Sequence, residues 1–129
     1  QFLDSIKRMK ALPLGTLVLP SHGRPFGGAV AAGARPTAAG TGGAGGLHTR
    51  IDQLVAHHDE RFAEVLQACA EAPQTAADLL PVLFRRPLDL HQTTFAMGES
   101  LAHLHALWFN GQLERRLDAD GIYRFTPAA

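Results

Sequence analysis

The sequence predicts an α+β protein in which a helix–strand unit is followed by a three-helix unit that ends in a β-hairpin. Three observations support this fold class. Apolar residues recur at helical spacing over residues 48–70, which predicts a long amphipathic helix. A Gly/Ala-rich segment at 27–46 separates this helix from an earlier helix and a short apolar run. Two short β-type runs flank Asp120-Gly121 near the end of the chain, and Asp-Gly is a typical hairpin turn.

The first unit is predicted over residues 1–26. Its helix spans residues 2–12, because Phe2, Ile6, Met9 and Leu12 recur at helical spacing until Pro13 ends the pattern. Residues 16–19 are apolar and rich in β-formers, which predicts a short strand. A loop that contains His22 and Gly23 follows this strand.

Residues 27–46 hold most of the 13 glycines of the chain and almost no large side chain. A segment of this composition buries too little apolar surface to offset the entropy of ordering it. We therefore expect a linker or insertion. A phosphate-binding loop would need a preceding strand and a Lys-Ser/Thr ending, and neither is present.

The second unit is predicted over residues 47–129. The helix at 48–70 buries one face, formed by Ile51, Leu54, Val55, His58, Phe62, Val65, Leu66 and Cys69. A short helix at 76–84 follows, with Thr75 and Asp78 as its capping pair and Pro81 splitting it. A third helix is predicted at 94–109, with Met97, Leu101, Leu104, Leu107 and Trp108 facing inward.

A hairpin with strands at 112–117 and 122–125 closes the chain. Three helices followed by a hairpin is the element order of a winged-helix domain, a fold that often binds nucleic acid. However, the third helix carries no Lys or Arg, and contacts with phosphates need such residues. Arg85 and Arg86 precede this helix, and Arg115, Arg116 and Arg124 lie on the hairpin. We expect these arginines to be solvated surface residues.

Bulk composition excludes several classes of protein. The formal net charge is +0 over 129 residues, which gives no sign of a nucleic-acid or acidic partner. No apolar run is long enough to cross a bilayer, and no export signal is visible, so we expect no membrane partner. The single cysteine, Cys69, fits a reducing, cytoplasmic location. The chain starts at Gln1 rather than Met, which suggests a fragment or a trimmed product.

Several motifs resemble one family. The segment LVLPSHGRPF (17–26) resembles the last metal motif of the metallo-β-lactamase superfamily, an apolar strand followed by a small residue, His and Gly. The segments LHTRID (47–52), HHDER (57–61), LFRR (83–86) and GESLAHL (98–104) resemble the C-terminal winged helix of one branch of that superfamily. The likeness covers the chain outside 27–46, a segment that the family normally lacks.

The resemblance implies that residues 1–26 are the end of an αββα metallo-β-lactamase domain. It also implies that His22 is a ligand in a two-metal site, with zinc the expected metal. Neutral imidazole is a good zinc ligand, and paired metals can generate a hydroxide nucleophile near neutral pH. The main motif, H-x-H-x-D-H, is absent from these residues. The other ligands would lie upstream of Gln1, so no catalytic residue is expected here and the chain alone should be inactive.

The implied activity is hydrolysis of a small acyl or thioester-type substrate. Arg24, Arg50 and Arg85 are candidates for contacting an anionic part of such a substrate. An endoribonuclease of the same fold is an alternative, but the neutral charge favours a small molecule over nucleic acid. Two further alternatives are a stand-alone winged-helix module that binds nucleic acid or protein, and a degenerate chain without activity. A homodimer is also compatible with the sequence.

Two groups of histidines have a structural interpretation. Residues 57–60, His-His-Asp-Glu, are neighbours on one helix and point in different directions, so they are not expected to converge on a metal. His103 and His105 diverge for the same reason. Glu99 and His103 lie four residues apart, and we expect them to pair on the helix surface.

Overall fold

The computed structural model describes residues 2–28 and 46–129, which gather into two compact units, Gln1–His57 and His58–Ala129. The described residues form helices and two small antiparallel sheets, in agreement with the predicted α+β class. The boundary between the units lies within a helix, whereas the sequence placed the start of the second domain at residue 47. Residues 29–45, most of the predicted 27–46 linker, lie outside the described residues.

The first unit begins with α1 (Phe2–Arg8) and a 3₁₀ turn (Met9–Ala11), close to the predicted helix at 2–12. The turn ends at Leu12, whose backbone is extended before Pro13. Thr16 then closes a turn, because both its amide and its hydroxyl donate to the carbonyl of Pro13, at 3.0 and 2.7 Å. This turn fixes the point at which the chain enters the next strand.

A short sheet follows, with strands β1 (Leu17–Val18) and β2 (Phe26–Gly27). The strands are antiparallel, with Leu17 opposite Gly27 and Val18 opposite Phe26. Gly27 has a φ of 75°, and a Cβ at this position would lie 2.4 Å from the carbonyl oxygen of Thr16. Only glycine fits there. Gly27, which the sequence assigned to the linker, is therefore part of the sheet.

Helix α2 (Leu47–Glu71) is the long amphipathic helix that the sequence predicted, to within one residue at each end. In the first unit it buries Leu47 and Ile51. The ring Nε2 of His48 lies 2.8 Å from the carbonyl oxygen of Leu12, and Lys10 forms an ion pair with Asp52. These contacts attach the start of α2 to the segment after α1.

The second unit continues with three further elements and a return strand, in the predicted order. These are α3 (Leu80–Leu83), α4 (Leu90–Phe109), β3 (Leu113–Leu117) and β4 (Tyr123–Pro127). The hairpin pairs Leu113 with Pro127 and Leu117 with Tyr123. The Asp118 carboxylate accepts the amides of Asp120 and Ile122 at 3.0 and 2.9 Å and thus closes the turn.

The predicted helix at 76–84 is too long, because only residues 80–83 are α-helical. The predicted capping pair is present: Asp78 accepts hydrogen bonds from the amide and hydroxyl of Thr75, at 2.9 and 2.8 Å. These bonds hold a turn rather than a helix. Pro81 lies in the first turn of α3, where its missing amide costs nothing, so it begins the helix instead of splitting it.

Helix α4 begins four residues earlier than the predicted start at residue 94. Asp89 is its N-cap: its side chain accepts the amide of Gln92 at 2.8 Å, and the Gln92 side chain accepts the amide of Asp89 at 3.4 Å. This reciprocal capping box satisfies two amides that have no partner within the helix.

The core of the second unit joins all of its elements. It consists of the buried side chains Val65, Cys69, Leu79, Leu83, Leu104, Leu107, Leu113 and Phe125. Ser100 is fully buried beside this core and donates its hydroxyl to the carbonyl of Ala76 at 2.8 Å. The inward position predicted for Leu101 is wrong, since 42% of this residue is exposed.

Gln74 connects the chain after α2 to the last strand. Its amide donates to the carbonyl of Phe125 at 3.0 Å, and the amide of Phe125 donates back at 2.8 Å. The Gln74 side chain also donates to the carbonyls of Ala68 and Ala72, at the end of α2. One residue therefore joins the long helix to the hairpin.

Candidate metal-binding loop

The loop that joins β1 to β2 carries His22, the one residue that the sequence proposes as a metal ligand. The β1–β2 pairing closes both ends of this loop. His22, Gly23 and Arg24 are all exposed. The structure therefore places the imidazole four residues after the end of β1, in an exposed loop.

Gly23 has a φ of 95°, which L-residues with side chains rarely adopt. A Cβ at Gly23 would meet nothing within 4 Å. Within the described residues its role is conformational, because it turns the chain sharply after His22.

A metal site needs several convergent ligands, and structural or catalytic zinc has three or four from the protein. Within residues 2–28 and 46–129, no group of three or more His, Cys, Asp or Glu side chains is placed to hold a metal ion. The assignment of His22 as a ligand therefore stays a prediction. One imidazole on these residues does not by itself form a zinc site.

The three arginines proposed to contact substrate are all exposed. Arg24 follows His22 in the same loop. Arg50 lies in the first turns of α2, where its guanidinium is 3.4 Å from the side-chain oxygen of Gln53. Arg85, in the second unit, donates to a carboxylate oxygen of Glu64 at 3.0 Å, yet its side chain is 80% exposed. Part of the charge of Arg85 is therefore compensated.

The histidines of the second unit form a packed pair. His103 is 4% exposed, and its Nδ1 lies 2.8 Å from the carbonyl oxygen of Glu99. Its Nε2 lies 3.3 Å from Nδ1 of His58. Because a carbonyl oxygen only accepts, Nδ1 of His103 donates, and in a neutral ring Nε2 then accepts from His58. The expected surface pairing of Glu99 with His103 is therefore wrong.

This His58–His103 contact links α2 to α4 next to the ring of Phe62, whose centroid is 5.1 Å from that of His103. The sequence placed His58 on the apolar stripe but gave no signal that His103 would meet it. The partners lie 45 residues apart, so no local spacing rule pairs them. Both rings are used in packing.

Cys69 is the single cysteine of the chain and lies in the second unit. It is buried in the core, and burial raises the pKa of its thiol to about 11. A thiol with this pKa is protonated near neutral pH, and the thiolate is the nucleophilic form. Cys69 therefore packs the core and is not a candidate nucleophile.

The hairpin arginines are held within their own unit. Arg116 pairs with Glu114 at 3.0 Å, and Arg124 donates to Asp118 at 2.8 Å. Arg115 stacks over the rings of Trp108 and Tyr123, with its central carbon 3.9 and 4.1 Å from their centroids.

Hydrogen bonds lower the pKa of the Asp118 carboxyl below its usual value, first that from the amide of Ile122 and also that from Arg124. Two of the three guanidinium groups thus already have a carboxylate partner. Of these three arginines, which the sequence predicts to be solvated, only Arg116 is exposed, and Arg115 and Arg124 are half-buried.

A comparison with protein-family models matches residues 62–128, nearly all of the second unit, to the family described as metallo-beta-lactamase-like, C-terminal domain. The chain belongs to this family. The metallo-β-lactamase superfamily is generally hydrolytic, and its name implies metal binding. The match lies outside the His22 loop, so it supports the family without testing that residue.

The chain is also similar to a beta-lactamase domain protein from Burkholderia ambifaria, whose crystal structure is known. The two share 46% sequence identity with a TM-score of 0.81, over 98% of this chain. The chain spans 32% of the length of that protein. A search among curated proteins found no match. In the part of the metallo-β-lactamase-like chain that the structure describes, no helix has the length and apolar character of a membrane span.

Proposed function

We propose that this chain is the C-terminal portion of a metal-dependent hydrolase, in which His22 is one ligand of a two-metal zinc site. The observation that carries the proposal is the 46% identity to a beta-lactamase domain protein, because it extends over 98% of this chain and so includes the His22 loop as well as the second unit. The remaining ligands would come from other parts of a longer polypeptide.

The described residues do not fit a complete metal centre, since they offer a single imidazole from the loop after β1. We therefore derive no catalytic step from them. What supports His22 is its placement: it follows a strand, it is exposed, and Gly23 fixes the turn beside it.

We further propose that the second unit is a winged-helix domain that shapes how the substrate reaches the active site of the intact hydrolase. The order α2, Gln74, α3, α4, β3 and β4 supports this assignment, because Gln74 takes the position of a short strand beside the hairpin. Helix α4 would be the nucleic-acid-reading helix of such a domain. Its sequence contains no Lys or Arg and one acidic residue, Glu99. A DNA-reading role is therefore disfavoured.

A small acyl or thioester-type substrate agrees better with these charges than RNA does. Arg116 and Arg124 on the hairpin are paired with acidic residues of the same unit. Single-stranded RNA needs a positively charged groove along its backbone. Arg24, Arg50 and Arg85 remain the proposed contacts for an anionic part of a small substrate, Arg85 with its charge partly offset by Glu64.

The test begins with the coding sequence upstream of Gln1. We expect an H-x-H-x-D-H motif there, followed by a further His and an Asp. The protein encoded by the complete reading frame is then purified, and its metal content is measured together with hydrolysis of a β-lactam, a thioester and single-stranded RNA. We expect bound zinc and hydrolysis of the thioester.

The matched variants are His22→Ala and His57→Ala, which each remove one exposed imidazole. His22→Ala should lower the zinc content and remove most of the activity, whereas His57→Ala should leave both unchanged. Full zinc content in His22→Ala would contradict the ligand assignment. A reading frame that opens at Gln1 would replace the hydrolase proposal with a binding module, and cleavage of RNA alone would replace the substrate class.

A further inference from the structure

One face of α4 is exposed along most of the helix and carries three large apolar side chains and no Asp, Glu, Lys or Arg. With 3.6 residues per turn, successive residues are rotated by about 100°, and we define the face as the residues whose Cα lies within about 60° of that of Gly98 around the helix axis. We call this face the α4 stripe, and it consists of His91, Thr94, Phe95, Gly98, Leu101, Ala102, His105 and Phe109. Phe95, Leu101 and Phe109 are 69%, 42% and 76% exposed. Large apolar side chains gathered on one exposed face mark an interaction surface.

The α4 stripe carries no charged side chain. The one charged residue of α4, Glu99, lies off the stripe and is half-buried. Charged residues are depleted at the centres of protein interfaces, and Phe is enriched there. A surface without charged side chains cannot form ion pairs with a charged partner. Two copies of such a surface do not repel each other.

Gly98 occupies the middle of the stripe, within a helix of twenty residues. A Cβ at this position would meet nothing within 4 Å, and its φ is not positive. Glycine lowers helix stability relative to alanine, so neither packing nor backbone geometry within this unit explains it. A side-chain-free position on an exposed face lets a second helix approach closely.

The stripe is complementary to itself about Gly98. If a second α4 crosses antiparallel at this glycine, residues equally far before and after it face each other. Thr94 then faces Ala102, while Phe95 and Leu101 flank this centre, each on the same edge as its counterpart in the other copy. His91 faces His105, so each contact joins residues of similar character. Such a pairing is isologous, which is the interface type of a twofold dimer.

We propose that the α4 stripe is the dimer interface of this protein, with a second copy of the chain as its occupant and a twofold axis at Gly98. This assignment does not depend on the metal or on the substrate. Phe95 and Phe109 each offer on the order of 150 Å², so the stripe provides roughly 400–500 Å² per copy. Stable interfaces use about 800 Å² per partner, and we therefore expect a weak dimer with a Kd on the order of 10–100 µM.

The first experiment measures the mass of the protein encoded by the complete reading frame by sedimentation velocity from roughly 1 µM to 1 mM, a range that brackets this affinity. Gly98→Glu places two carboxylates against each other at the axis, and Gly98→Lys places two ammonium groups there. Each variant alone should raise the Kd at least tenfold. An equimolar mixture of the two should associate again, because opposite charges then meet at the axis.

Two variants establish that the effect belongs to the stripe. Ala70→Glu adds a charge at an exposed position of α2, and Leu14→Glu adds one at an apolar side chain that is 75% exposed in the first unit. Both should associate like the unmodified chain. Circular dichroism should show that Gly98→Glu retains its helices, since glutamate is a better helix former than glycine.

A disulfide test gives the direction of the two helices. A Thr94→Cys chain mixed with an Ala102→Cys chain should form a crosslinked pair faster than either chain alone, because these positions face each other only in the antiparallel arrangement. Cys69 is buried and does not interfere. A chain that is monomeric throughout the concentration range would overturn the proposal. So would association that Gly98→Glu leaves intact, or crosslinking that favours identical chains.

Discussion

The buried hydroxyl of Ser100 gives a sharp test of how the second unit is packed. Ser100 is 0% exposed, and its hydroxyl donates to the carbonyl of Ala76 at 2.8 Å. Ser100→Ala removes the donor and leaves this carbonyl without it, which costs about 1–3 kcal/mol. Alanine recovers roughly 0.5 kcal/mol through its higher helix propensity. We expect the free energy of unfolding to fall by about 1–2 kcal/mol.

The assay is urea denaturation followed by the fluorescence of Trp108, the single tryptophan of the chain, which reports on the second unit. In a separate thermal melt, the melting temperature should fall by roughly 4–16 °C for a unit of this size. The control is Thr94→Ala, an exposed hydroxyl on the same helix that donates to the carbonyl of His91 at 2.6 Å. It should change the free energy by less than about 0.5 kcal/mol. An equally small loss for Ser100→Ala would refute the packing described between α4 and the turn after Gln74.

Three further predictions concern single side chains. Asp89→Ala removes the N-cap of α4 and should lower the free energy of unfolding by about 1 kcal/mol. The control Asp59→Ala, on the exposed face of α2, should leave this free energy nearly unchanged. Equal losses of the two variants in urea denaturation would contradict the capping role. The Cys69 thiol, with its pKa raised to about 11, should resist a thiol-reactive disulfide reagent at pH 8 in the folded protein and react within minutes in urea. Rapid reaction in the folded state would show that the core around Cys69 is accessible to the reagent. Hydrogen bonds from the amide of Ile122 and from Arg124 hold the pKa of Asp118 below its unfolded value, so the carboxylate stabilises the fold above the unfolded pKa and loses this effect as pH falls through the folded pKa. The destabilisation caused by Asp118→Asn should therefore shrink as pH is lowered. A destabilisation that grows towards low pH would contradict the assignment.

The sequence predicted the elements whose signals are local and repeated. Helix α2 shows an apolar residue at nearly every expected turn from Ile51 to Cys69, and all of these are buried or half-buried. The hairpin was found because Asp120-Gly121 suits its turn. The capping pair of Thr75 with Asp78 was also predicted, although it holds a turn rather than a longer helix.

The errors have physical causes. The start of α4 was missed because its first turn is exposed, with Leu90 at 84%, and so shows no apolar periodicity. The Asp89–Gln92 spacing would have revealed it. Strand β2 is two residues long and is defined by its partner β1, which no local pattern shows. The burial of His103 depends on His58, 45 residues away.

The candidate site was predicted only as far as one ligand. The resemblance of residues 17–26 to a metal motif singled out His22, and the structure places this residue in an exposed loop after β1. A metal centre depends on ligands that converge from distant parts of a chain. No spacing rule within these residues could supply the further ligands that the His22 prediction requires.

The bridge between Gln74 and Phe125 has a consequence for the order of folding. It joins residues roughly fifty positions apart, and closing such a loop costs entropy before the contact returns any stability. Helices α2 and α4 are stabilised by near neighbours and can form within microseconds, whereas the bridge must wait for the hairpin. We therefore expect folding of the second unit to be limited by the arrival of β4 beside Gln74. Until then its core lacks Phe125, and the partly folded chain exposes the apolar face that this ring later covers.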